Sequence, residues 1–261
     1  MKIRSGPGGF DGGGPLEGLA KAHGLGLDAI EVEFTYGVRM KKDVAQAFGK
    51  KAKELGISIS IPAPYYINLA SEEPQKIVAS KKRILDSVER GHDMGAEFVV
   101  FHPAFYGKRT HEKTYAMVKD AIIDMMKTIR ENGWTPMIAT ETTGKPSQFG
   151  SLAELARLSN ETGCAVCVDF AHIKARQNGV IDYDEVCTTL KTIKHITGHF
   201  SGIEWTAKGE RNHIPTDAKL IEELFSYLKK HDISMRVINE SPQPYKDAAL
   251  QMSIARRMKI V

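Results

Sequence analysis

What most limits the architecture open to this chain is an alternation. Short apolar runs are each followed by a longer amphipathic stretch of helical periodicity, and the pattern recurs eight times without a close sequence repeat or a proline-rich linker. The runs lie at residues 2–4, 29–33, 58–61, 98–102, 136–141, 165–169, 199–204 and 235–240. The helical stretches lie at 16–23, 42–55, 74–94, 114–132, 152–162, 183–193, 217–231 and 246–258. Gly56, Gly95, Gly133 and Gly163 each close a helical stretch, where a left-handed cap is expected. Strand–helix units in series predict a parallel sheet with helical crossovers. At 261 residues the chain matches a (β/α)8 TIM barrel, an α/β fold that needs about 250, occupying 1–261 as a single domain. An open doubly wound sheet would give a similar pattern and stays as the alternative.

Composition narrows the function classes. The 36 Lys and Arg against 32 Asp and Glu leave a formal charge of only +4, too small to mark a nucleic-acid binder by charge alone. No apolar run reaches the roughly 18 residues that span a bilayer, and residues 1–14 lack the apolar centre of a secretory signal. A cytoplasmic protein without a membrane partner is expected. Three cysteines, Cys164, Cys167 and Cys187, do not make a disulfide framework. Cys164 and Cys167 form C-x-x-C inside an apolar run rather than at a helix start, which reads as two core thiols.

The chemistry sits where the runs stop. FVVFH ends at His102, PMIATE at Glu141, AVCVD at Asp169 and MRVINE at Glu240. In a parallel barrel all strands point one way, so these four groups converge on one mouth. Neighbouring buried carboxylates repel unless protons or a cation neutralise them, and imidazoles in their company point to a metal such as zinc or manganese. The seventh run is the exception. His199 opens HFSGIE, so either the strand begins earlier or the imidazole lies at another depth. His172, three residues past Asp169, is expected in the loop beyond that strand, in reach of a second ion. His23, His92, His111, His195 and His231 fall in or near helices and carry no site expectation.

At these residues the chain resembles the endonuclease IV family of abasic-site DNA nucleases, within the xylose-isomerase-like TIM barrel superfamily. The resemblance covers nearly the whole chain through APYYINLA (63–70), FHP (101–103), ETTG (141–144), VCVDFAH (166–172), the GHFSG segment with His199, GERNH with His213, and ESP (240–242). It implies a barrel with up to three zinc ions. Glu141, Asp169, His199 and Glu240 match the ligands of one ion, His102 a ligand of a second, and His172 with His213 ligands of a third. Glu141 would bridge ions and orient or deprotonate the attacking water. The implied partner is duplex DNA with abasic lesions, cut 5′ to the lesion by a monomer.

Arg39 in FTYGVR and Tyr65 in APYY match DNA contacts, and Lys108, Arg109, Lys145, Lys174, Arg176 and Lys208 fall in expected loops at the same rim. Two positions depart from the pattern. Pro62 stands where the family has a histidine, and Arg211 where it has an aspartate, unless adjacent Glu210 takes over by another loop path. Glu33 is a candidate for the space beside Pro62. The intact quartet is also similar to that of single-metal sugar isomerases and epimerases, which is the competing reading. A DNA-binding protein with a degenerate centre is a third.

Overall fold

A computed structural model describes residues 1–261. The elements in chain order are β1 (Ile3–Pro7), α1 (Pro15–Gly24), β2 (Ala29–Glu31), α2 (Lys42–Glu54), β3 (Ser58–Pro62), α3 (Pro74–Met94), β4 (Phe98–Phe101), β5 (Ala104–Phe105), α4 (His111–Glu131), β6 (Met137–Glu141), β7 (Gln148–Phe149), α5 (Leu152–Thr162), β8 (Ala165–Asp169), α6 (Phe170–Arg176), α7 (Tyr183–Leu190), β9 (Ile196–Phe200), β10 (Gly202–Thr206), β11 (Gly209–Ile214), α8 (Ala218–Lys230), β12 (Met235–Asn239) and α9 (Pro244–Arg257). Eight of the strands, in the spatial order β1, β12, β9, β8, β6, β4, β3, β2, make one all-parallel sheet. β1 and β2 close the circle through Asp28 N–H donating to Ser5 O at 3.2 Å and Gly9 N–H to Glu31 O at 3.0 Å. The architecture is a TIM barrel.

Burial explains why the runs are almost wholly apolar. Strands of a parallel barrel are covered by helices outside and packed side chains inside, so both faces select for Val, Ile, Ala and Cys. Every residue of β8 is buried, and a core of 60 buried residues fills the space between sheet and helices. Val100, Ala139, Ala165 and Cys167, with Phe98 and Met137, form a separate small cluster within the barrel. Cys164 packs in the outer core and Cys167 in this inner one, so the C-x-x-C is no dithiol pair.

The caps follow chemistry local to each helix. Ser151 accepts from Glu154 N–H while the Glu154 side chain reaches back, a reciprocal capping box, and Gly95 and Gly163 adopt φ of 71° and 80° as left-handed caps.

Two expectations need correction. Residues 199–204 are not the seventh strand. That strand is β9, which begins at Ile196, so His199 lies near its carboxyl end like the other candidate ligands, while β10 opens a hairpin with β11. Residues 170–176 form a helix, α6, so His172, Lys174 and Arg176 are helical rather than in a loop. The apolar run HFSGI hid the break because a strand and a following hairpin arm share the same local pattern.

The closing seam leaves no room for a side chain at Gly6, where an added Cβ would lie 1.9 Å from the carbonyl oxygen of Ala29. Gly6→Ala is expected to destabilise the fold by about 3 kcal/mol or more, the upper end for overpacking because the obstacle is backbone. A chemical-denaturation midpoint unchanged from wild type would contradict this.

Candidate metal centre

Strand polarity places the candidate side chains. Glu141 is the last residue of β6, Asp169 the last of β8, His199 the penultimate residue of β9, and Glu240 directly follows β12. The structure brings one ligand atom of each of these four to within 4.8 Å of the others. His199 Nδ1 lies 3.1 Å from both Glu141 Oε1 and Glu240 Oε1. Two further groups made of imidazole and carboxylate alone meet the same measure, His102 with Glu141 and His172, and Asp169 with His172 and His213. His102 Nε2 approaches Glu141 Oε2 at 3.2 Å, and His172 Nδ1 approaches Asp169 Oδ2 at 3.3 Å. Adjacent groups share Glu141, Asp169 or His172, so the mouth holds a chain of donor sets rather than one isolated cage.

A residue that the sequence reading passed over completes the setting. Glu31, at the end of β2, is buried, and its Oε2 lies 3.1 Å from His199 Nε2 while accepting from Ser60 Oγ at 2.8 Å. A carboxylate behind a ligating imidazole fixes the ring's tautomer and aim. Here it leaves Nδ1 turned towards Glu141 and Glu240. The signal was available, since AIE is another apolar run ending in an ionisable group.

The electrostatics favour a cation. Burial would raise the Glu141 carboxyl, but the imidazoles of His102 and His199 hold it well below the usual carboxylate range. Burial pushes the Glu240 carboxyl well above that range, against the pull of His199 and with the help of Glu141, Asp169 and Glu31. Burial disfavours a charged His199, yet the carboxylates around it, Glu240, Glu31 and Glu141, favour the charged ring, and it lies well above an ordinary histidine. Carboxylates this close are stable together only with protons or a cation between them.

The donors also fit a metal in detail. Asp169 Oδ2 is buried without a hydrogen-bond partner, although Oδ1 accepts from His172 N–H at 2.8 Å. Mixed imidazole and carboxylate donors suit zinc or manganese better than calcium. Cys167 Sγ comes within reach of Glu141 and His199, but burial pushes its thiol pKa up, so it remains a neutral core group.

Other expected residues divide. Tyr65 and Arg39 are exposed at the mouth, and Tyr65 meets the exposed Tyr36 edge to face with centroids 6.1 Å apart. Glu33 joins none of the donor groups. Cβ positions built at Gly8 and Gly9 fall 3.6 and 3.3 Å from its Oε1, so it lies against that turn rather than replacing the missing ligand at Pro62. Among the basic residues, Lys108 and Lys208 are exposed, Lys145 pairs with Glu210 at 3.5 Å, and Lys174 sits over the Trp205 ring at 5.6 Å. Arg176 is turned into the protein. Its guanidinium donates to the carbonyls of Lys145 and Gln148 at 2.7 and 3.0 Å, tying down the loop after β6. His92, His111 and His231 have partners in Thr135, Glu154 and Asp184 and take no part in the centre.

This geometry can be set beside known proteins. The description of the Xylose isomerase-like TIM barrel family matches residues 19–258. The chain belongs to that family, whose members are enzymes. An uncharacterized protein of Methanocaldococcus jannaschii is 39% identical over 246 residues, 87% of each chain. A probable endonuclease 4 of Mesomycoplasma hyopneumoniae is 29% identical over 143 residues, 53% of this chain and 50% of that one. Among solved structures, endonuclease IV from Thermus thermophilus superposes with a TM-score of 0.69 at 20% identity over 97% of this chain and 98% of that one. A D-psicose 3-epimerase does so equally, at 0.69 and 15% over 98% and 99%. At such identities the likeness to the two structures is one of fold.

Glu31→Gln removes the carboxylate behind His199 while keeping its shape. It is expected to weaken divalent-cation binding about 10- to 100-fold with little change in fold. Calorimetric titration of zinc into cation-free protein measures it, and wild-type affinity in the variant would show that Glu31 does not aim the ring.

Proposed function

We propose that the protein is a metal-dependent endonuclease that hydrolyses the DNA phosphodiester 5′ to abasic sites, with zinc as its metal. The observation that carries this reading is the second set of imidazoles. A sugar isomerase needs one cation held by the Glu141, Asp169, His199 and Glu240 quartet, and His102, His172 and His213 have no task there. Beside the quartet they extend the donor set into the two further groups described above. The endonuclease 4 likeness over half the chain supports the same reading.

Hydrolysis requires an attacking water, relief of charge on the phosphoryl oxygens, and a stabilised leaving alkoxide. Divalent cations in these donor groups would supply Lewis acidity, lowering the pKa of water towards about 7 and drawing charge from phosphoryl and leaving oxygens. The chain's own residues do the rest. Glu141, kept ionised between His102 and His199, orients the water and takes its proton. The water oxygen bonds to phosphorus as the bond from phosphorus to the upstream O3′ breaks. The leaving O3′ takes a proton from solvent, so a 3′-hydroxyl is left on one side and a 5′-phosphate on the abasic residue. Glu31 holds His199 in place. Tyr65, Tyr36 and Arg39 form an exposed aromatic and cationic edge suited to filling a missing base and pairing with phosphate.

One observation favours a second reading, a sugar epimerase. Pro62 offers no side-chain donor at the mouth, Glu33 does not replace it, and the quartet that a single-metal sugar enzyme uses is intact. In that case Glu141 and Glu240 would move a proton on either side of a ketose.

Purified protein given zinc or manganese is expected to nick a duplex carrying a single tetrahydrofuran abasic analogue, leaving an extendable 3′-hydroxyl, and to lose this with EDTA. Glu141→Gln is expected to lower the rate about 100-fold or more, in the range for losing a proton-transfer group. Epimerisation of ketohexoses without nicking would overturn the nuclease reading in favour of the second.

A further inference from the structure

One corner of the mouth is built differently from what its sequence implies. The hairpin of β10 and β11 pairs Glu204 with Asn212 and Trp205 with Glu210, so Arg211 is an extra residue with nothing opposite it, and its side chain is exposed. Such a bulge re-aims the side chains beside it, because two residues of one strand share the place of one. Along a regular strand, residues 210 and 213 would point to opposite faces. The bulge cancels that alternation, and Glu210 turns inward with His213.

The contacts follow. Glu210 Oε2 lies 3.4 Å from His172 Nε2, and the His172 and His213 rings are 5.4 Å apart. Glu210 N–H donates to Gly144 O at 3.1 Å, which anchors the bulged strand to the loop after β6. That loop leaves a slot for the carboxylate, since a Cβ at Gly144 would lie 1.9 Å from Glu210 Oε2. Within the slot Glu210 Oε2 is buried and has no hydrogen-bond partner, and neither has Asp169 Oδ2, whose residue is fully buried on the other side of His172. Two buried carboxylate oxygens without donors flank one imidazole. Each is costly as it stands, and a divalent cation bound at His172 Nε2 would satisfy the Glu210 oxygen 3.4 Å from that nitrogen.

We propose that Glu210 is a cation ligand of the Asp169, His172 and His213 group, delivered by the bulge at Arg211. Arg211 stands at the usual acidic position without emptying the site, because the strand supplies a carboxylate one residue earlier. Lys145, 3.5 Å from Glu210 Oε1, holds the other oxygen and leaves Oε2 for the cation. The inference concerns cation binding and does not rest on the identity of the substrate.

The test counts cations. Cation-free wild type and Glu210→Gln are titrated with zinc by calorimetry, repeated with cobalt to read ligand-field absorption, and saturated samples are analysed for metal content. Glu210→Gln is expected to lose one equivalent, or to bind its weakest equivalent at least about tenfold less tightly. Glu210→Asp should keep the count, and Gly144→Ala, which fills the slot, should behave like Glu210→Gln. Thermal unfolding of the cation-free forms shows that each variant is folded. The proposal is overturned if folded Glu210→Gln binds as many cations as tightly as wild type, or if wild type binds only one. These readouts stand whether or not the protein cuts DNA, so failure of the nuclease reading is seen separately.

Discussion

The structure depends on a conflict that the parallel barrel creates. Strands running one way deliver their last side chains to a single mouth, and here those include Glu31, Glu141, Asp169 and, just beyond β12, Glu240. Like charges crowded together in a buried setting are unstable alone. His199 answers part of the conflict by reaching Glu31 with one nitrogen and Glu141 and Glu240 with the other. His102 answers another part through Glu141, and the unpartnered Asp169 Oδ2 marks where protein groups no longer suffice. A fold able to hold such a cluster has to be rigid around it. The closed seam at Gly6 and the doubly covered strands provide that rigidity.

Around this centre the mouth is divided between positioning and contact. Arg176 and Lys145 are basic and near the rim, yet both are committed to the protein, one to loop carbonyls and the other to Glu210. Tyr36, Tyr65, Arg39, Lys108 and Lys208 are instead exposed to solvent. A count of basic residues in loops therefore overstates the available charge, because a guanidinium within reach of backbone carbonyls is drawn into holding the loop. The near-neutral total charge gives the molecule no broad electropositive field.

Much of this was legible in the sequence. The eight units, the glycine caps and the ligand-type residues ending strands four, five, six and eight all follow from local periodicity and from the single polarity of a parallel sheet. Two features were hidden for a local reason. ITGHF and the hairpin arm after it both read as extended apolar chain, so the start of β9 and the depth of His199 could not be separated from β10. Helix α6 was missed because seven residues carry too little periodicity, and Asp169 serves both as strand end and as the cap accepting from His172 N–H.

The sequence by itself determined the barrel and the inventory of acids and imidazoles at its mouth, because strand polarity and side-chain type are written residue by residue. Only the tertiary structure decided which of those groups meet. Glu31 serves His199 although the two lie far apart along the chain, and Glu33, two residues on, rests against a glycine turn instead. Glu210 faces the centre only because an unpaired residue twists its strand. Such pairings depend on register and on the space left by neighbours such as Gly144, quantities that arise between segments and that no single segment encodes.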